Sequence, residues 1–175
     1  MTQIHAQALD TPDGPFTVIE LPDGTVVASG WSAEIGKIAA QSPLSRNAET
    51  VTVHAEGPDL ASARAVRDYY GGDVRAIETL RVANQGTPLQ QAVWERLREI
   101  HCGYTLSYGE LARSIDAPAA SRAVASACAR NAIGLFVPCH RVVSATGALS
   151  GFAWGLPVKA SLLEREQLRV EHPNS

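Results

Sequence analysis

Two short runs rich in β-branched and aromatic residues, PFTVIEL (15–21) and TVVASGW (25–31), are joined by PDG and read as a β-hairpin. VTVHAE (51–56) reads as another strand. DLASARAVRDYYGG (59–72) reads as a helix, with Asp59 near its start and Gly71-Gly72 at its end. One more strand is expected around AIETLRV (76–82). After NQGTP the period changes: Leu89, Val93, Leu97 and Ile100 repeat at helical spacing, with Thr87 as N-cap and Pro88 as first helical residue. Ser107 and Glu110 have capping-box spacing, so a second helix should begin at Ser107. DAPAASRAVASACARN (116–131) offers Asp116 and Pro118 as the start of a third, only a few residues on. The pattern predicts an α+β protein: a small N-terminal α/β domain over 1–86, a short linker around 84–87, and a mostly helical domain over 87–175. The two close helices of the second domain have the outline of a helix-turn-helix, an outline shared with any αα-hairpin.

Composition is that of an ordinary globular chain, with 45% hydrophobic and 19% charged residues among 175. MTQIHAQALD has no basic stretch followed by an apolar run, and no segment approaches the ~20 apolar residues a membrane span needs. A soluble, cytoplasmic protein is expected, with no membrane partner. Cys102, Cys128 and Cys139 are an odd number at wide spacing, which argues against a disulfide framework, and no zinc spacing is present. No metal or cofactor is expected. The net charge of −3 hides an asymmetry: residues 1–90 hold six basic and eleven acidic side chains, residues 91–175 nine and seven. A phosphate-contacting surface is permitted in the second half.

The second half also contains VPCHRVV (137–143), a cysteine beside a histidine. Taken alone, Cys139 reads as a buried, inert thiol, Arg122 as a solvated charge, Tyr108 as core, Asn131 as a helix-ending residue and Glu166 as part of a solvated charged run. In order and spacing, however, RAVASACARN, VPCHRVV, GALSGFAWG and LLEREQ resemble the O6-alkylguanine-DNA alkyltransferases, or methylated-DNA–protein-cysteine methyltransferases. RAVASACA and WG look most like the C-terminal half of the bacterial adaptive-response protein. That protein's zinc-cysteine regulatory domain has no counterpart here, so its transcriptional role does not carry over.

The resemblance implies direct reversal of DNA damage in a single turnover. The alkyl group of O6-alkylguanine, and of O4-methylthymine, passes from a flipped base in duplex DNA to Cys139. It implies a monomer that binds double-stranded DNA without sequence preference, and an N-terminal domain of three strands and a helix, ribonuclease H-like. A free thiol is only a few per cent thiolate at neutral pH, so a base must help. By resemblance His140 acts through a water, since neighbouring side chains point apart, and Glu166 holds His140. Arg122 enters the vacated stack, with Ser121 and Ala123 on the same DNA-binding helix. Asn131 braces the turn before the cysteine, and Tyr108 bonds the guanine. Backbone groups of Cys139, Val142 and Ala153 contact the base, Ala153 facing O6. Trp154, Ala132 and Phe152 depart from the commoner residues of the family and bear on adduct range and rate.

Of the remaining thiols, Cys128 is expected to be the more exposed. Three other readings stand against the transferase: a sequence-specific regulator, a damage sensor without a reactive thiol, and a cysteine hydrolase using Cys139, His140 and Asn131.

Overall fold

The computed structural model describes residues 2–171, with side chains through Gln167. The chain folds into two compact units. One runs to Gln85 and takes in Ala132–Phe136; the other comprises Gly86–Asn131 and the chain from Val137 onward.

In the first unit, strands β1 (Gln3–Thr11), β2 (Gly14–Glu20), β3 (Val26–Gly30) and β4 (Thr50–Val53) form one sheet in the order β3-β2-β1-β4. The hairpin of β2 and β3 forms as the two β-rich runs and their PDG turn predict, with Ile19 opposite Ala28. The sheet has four strands where three were expected. The additional strand is β1, antiparallel to β2 and parallel to β4, so it lies inside the sheet. Its buried residues are Ile4, Ala6, Gln7 and Leu9, a set too poor in β-branched side chains to announce a strand. Gln7 is buried because its amide donates to Asp59 and accepts from the Leu60 amide. The β1–β2 turn closes at Gly14, whose φ of +104° suits a residue without Cβ.

Helix α1 (Ile35–Ala39) precedes β4, and α2 (Ala61–Tyr70) follows it. Asp59 is near the start of α2 but does not cap it. Its carboxylate bonds Gln7 and Arg67, while Glu20 of β2 accepts from the amide of Ser62. A distant strand residue thus satisfies an orphan amide of the first turn. The strand expected over 76–82 is instead a 3-10 turn, Ala76–Thr79, followed by a single bridge from Val82 to Val26. The buried residues there are Val74 and Ile77, three apart, which is helical rather than strand spacing.

In the second unit, α3 (Pro88–Glu99) and α4 (Tyr108–Ser114) begin where their caps predict. Thr87 with Gln90, and Ser107 with Glu110, each form a complete capping box. Gly86 precedes α3 against the Trp94 ring, where a Cβ would lie 2.6 Å from a ring carbon. Helix α5 (Ser121–Ala129) starts later than expected. Asp116 adopts a left-handed φ of +59°, and Ala117 donates back to Ala112, so Asp116 and Pro118 belong to the turn. Trp94 Nε1 donates to the Ala127 carbonyl and ties α3 to α5. The pair β5 (Leu106–Ser107) and β6 (Val142–Val143) is parallel, and α6 (Leu156–Glu171) closes the described chain.

Candidate functional site

Cys139 opens a 3-10 turn, Cys139–Arg141, that leads straight into β6. Pro138, at φ −82° and ψ 65°, lets the Cys139 amide donate to the Val137 carbonyl at 2.8 Å, an inverse γ-turn. Asn131, just past α5, donates through Nδ2 to the same carbonyl at 2.8 Å and toward Cys139 Sγ at 3.4 Å. One amide therefore fixes both the turn and the half-buried thiol. The β5–β6 pairing places Ser107 opposite Val143, so Tyr108, the first residue of α4, starts beside the strand that leaves the cysteine.

The neighbouring histidine, His140, is fully buried in the protein, and its Nε2 lies 2.7 Å from Glu166 Oε2 on α6. Only an Nε2–H can bond a carboxylate, so a neutral ring carries its lone pair on Nδ1. Nδ1 is buried with no protein hydrogen-bond partner among the described residues. Arg141 donates from Nε to the other oxygen of Glu166 at 2.8 Å, and from Nη1 to the Ile100 carbonyl at 2.8 Å. Burial raises the Glu166 pKa, but the charges and hydrogen bonds of His140 and Arg141 outweigh it and bring the group down to about 2.

Burial also pushes the Cys139 thiol up, against the opposing pull of Asn131 and the Lys159 charge. The pocket itself thus keeps the resting thiol protonated. Lys159 is fully buried on α6, and its Nζ donates to the carbonyls of Ser150 (2.8 Å) and Gly151 (3.3 Å). Tyr108 Oη donates to the same Ser150 carbonyl at 3.5 Å. Burial, followed by the nearby Cys128 thiol, raises the Tyr108 phenol, which stays a proton donor.

Residues 88–168 match the family model described as 6-O-methylguanine DNA methyltransferase, DNA binding domain. The chain is 46% identical over 167 residues to the methylated-DNA–protein-cysteine methyltransferase of Salmonella typhimurium, spanning 95% of this chain and 97% of that one. It belongs to the methylated-DNA–protein-cysteine methyltransferases. The bifunctional transcriptional activator/DNA repair enzyme Ada of Escherichia coli is 54% identical over 88 residues, which span 50% of this methyltransferase but only 25% of Ada. Among solved structures, Mycobacterium tuberculosis OGT in complex with DNA superposes with a TM-score of 0.77 at 32% identity, covering 94% of each chain.

The methyltransferase fold sets Asn131 on Cys139, pairs the adjacent His140 with Glu166, and joins Tyr108 to the Ser150 carbonyl. Arg122 and Ala123 are exposed on α5, Ser121 is half-buried at its start, Ala153 is exposed in the loop before α6, and Val142 is wholly buried in β6. Cys128 is the more exposed of the other two thiols, as expected, at 8% against 3% for Cys102, yet α5 turns it inward with Val124 and Ala127 and both are buried. Burial pushes the Cys128 thiol up to about 12. No cluster of three metal-ligating side chains occurs among the described residues, and no described helix is long and apolar enough to cross a membrane.

Lys159 and Arg141 escaped the sequence reading. Lys159, Leu162 and Glu166 are three and four apart and all buried, so the apolar stripe of α6 carries two charges. Charged residues in register with an apolar stripe were the available signal. Lys159→Met is expected to slow alkylation of Cys139 by iodoacetamide about tenfold at neutral pH, through loss of one stabilising charge on the thiolate. Mass mapping of the labelled peptide over time checks this.

Proposed function

We propose that this chain repairs DNA by taking the alkyl group of O6-alkylguanine, and of O4-methylthymine, onto Cys139 in one irreversible turnover. The observation that carries the proposal is the Glu166–His140 pair beneath a half-buried thiol, with Nδ1 of the ring still able to accept a proton. A water passes the thiol proton to Nδ1, while Glu166 steadies the ring through Nε2. The thiolate attacks the alkyl carbon, the S–C bond forms as the C–O6 bond breaks, and the base leaves with the electron pair. Tyr108, held protonated by burial, donates a hydrogen bond to the departing guanine. The product thioether has no acyl carbon for water to attack, so the protein is spent.

Reaching O6 requires the nucleotide to leave the stack. Helices α4 and α5 serve as the helix-turn-helix, with the second helix on DNA. Its exposed face holds Arg122, Ala123, Ser126, Ala129 and Arg130. Small residues allow close approach without reading base edges, which favours binding without sequence preference over a sequence-specific regulator. Arg122 occupies the gap left by the flipped base, and Ala153 and the backbone of Cys139 and Val142 face the base itself. Residues 87–175 form the alkyltransferase domain, and residues 1–86 a ribonuclease H-like companion.

The test is the intact mass of the protein after incubation with a duplex carrying one O6-methylguanine. One added methyl per chain, mapped to Cys139 and then no more, is expected; tight binding without added mass overturns the transferase reading. Arg122→Ala separates flipping from chemistry. It is expected to slow transfer from duplex about 100-fold, equivalent to the few kcal/mol of unstacking, and transfer from the free base less than about twofold. Equal losses on both substrates would remove Arg122 from the flipping step.

A further inference from the structure

Arg141 follows His140 in the chain, yet both side chains converge on one carboxylate from opposite sides. His140 Nε2 meets Glu166 Oε2 at 2.7 Å, Arg141 Nε meets Oε1 at 2.8 Å, and no side chain of the three is more than 2% exposed. Nη1 of Arg141 also holds the Ile100 carbonyl just beyond α3. We infer that Arg141 is a positioning residue for alkyl transfer: it grips Glu166 by one oxygen and balances its charge, so that the other oxygen holds Nε2–H of His140 and leaves Nδ1 to receive the thiol proton. This inference rests on the relay proposed above.

The reason is charge counting in a buried site. A carboxylate buried against a single imidazole draws a proton onto the ring, and an imidazolium has no lone pair for another. With a guanidinium on the second oxygen, the Arg141–Glu166 pair is already neutral, and an uncharged ring adds no imbalance. When the thiol proton reaches Nδ1, an S–H bond is exchanged for an N–H bond. The three side chains then carry one net positive charge beside the new thiolate. The same planar guanidinium bonds the carboxylate from Nε while Nη1 holds the Ile100 carbonyl, a rigid fork across two partners that a lysine cannot reproduce. The titratable and charged groups around His140 are Glu166 from α6, and Cys139 and Arg141 from its own turn. Lys159 of α6 acts on the thiol from beyond it, and the chain after α3 contributes the Ile100 carbonyl through Arg141.

The test compares single-turnover methyl transfer from an O6-methylguanine duplex in the full-length protein and its Arg141→Met, Arg141→Lys and His140→Gln variants. Rates are taken from about pH 6 to about pH 9, and duplex affinity is measured for each variant. Arg141→Met is expected to lower the neutral-pH rate between about tenfold and 100-fold, with the loss shrinking as pH rises and ionises the imidazolium away. Its duplex affinity stays within about twofold of the unsubstituted protein. Arg141→Lys, which keeps the charge and loses the fork, is expected to keep the shape of the pH profile at a reduced rate. An unchanged rate, or a loss equal at every pH in a Met variant that still binds duplex, overturns the inference. Should the Met variant fail to fold, a shifted profile in the Lys variant overturns it equally. An unimpaired His140→Gln variant would instead remove the relay itself, whatever Arg141 does.

Discussion

Cys139→Ala is expected to abolish methyl transfer and to leave duplex binding within about threefold. The side chain is small and half-buried, and Asn131 Nδ2 approaches it at 3.4 Å. Removing one sulfur from such a position costs on the order of 1 kcal/mol, well inside the stability of a typical domain. The turn that presents residue 139 is held by backbone bonds and by Asn131 on the Val137 carbonyl, so it survives the substitution. No other thiol can take over. Cys128, raised to about 12 by burial, is about one part in 10⁵ thiolate at pH 7, and Cys102 is buried as well. Intact mass should show no added methyl after hours with damaged duplex, while fluorescence anisotropy shows retained binding. A methyl adduct at any position in this variant would move the nucleophile elsewhere.

Glu166→Ala is the substitution expected to cost most in folding. It leaves the Arg141 guanidinium buried without its carboxylate and removes the bond that orients His140. Breaking a buried pair from one side typically costs ~3–5 kcal/mol, a large share of a domain's stability. The wild-type protein should show the same linkage through pH. Glu166 falls from an ordinary 4.5 to about 2 on folding, so its ionised form stabilises the native state by about 3 kcal/mol at neutral pH. That contribution is complete above about pH 4.5 and drains away as pH falls toward about 2, where the folded-state group protonates. Urea unfolding at pH 7 and again near pH 3 should therefore show a stability gap that narrows sharply in Glu166→Gln. An equal pH dependence in both proteins would place the acid sensitivity in other carboxylates.

The parts of this fold that were legible were those written in local chemistry. Thr87-Pro88 and Ser107 with Glu110 announce helix starts because the capping side chains lie within one turn of the amides they satisfy. What stayed hidden depends on distant partners. β1 is a strand because β2 and β4 flank it, not because its alanines and glutamines prefer extension. α2 is capped by Glu20, forty-two residues away, and no local window contains that bond. The run AIETLRV was expected as a strand but folds as a 3-10 turn over Ala76–Thr79, and the start of α5 was misplaced because Asp116 and Pro118 are equally good turn residues. In the site, PCHRV and the glutamate of LLERE could be seen in the sequence. Arg141 and Lys159 could not be assigned, since whether an arginine or lysine faces solvent or a carboxylate is settled only by packing.

Lys159 and Glu166 are seven residues apart on α6, two helical turns or about 10.5 Å along one rod. The rod's near end clamps the carbonyls of Ser150 and Gly151, and its far end anchors the imidazole through a carboxylate. Leu162, fully buried between them, is the bearing on which that shaft is seated. On the proposed mechanism one helix therefore sets both thiol electrostatics and proton acceptance, and a displacement of α6 is expected to detune both together. Damage to one end should mask damage to the other, and the combined variant should lose less than the product of the two single losses.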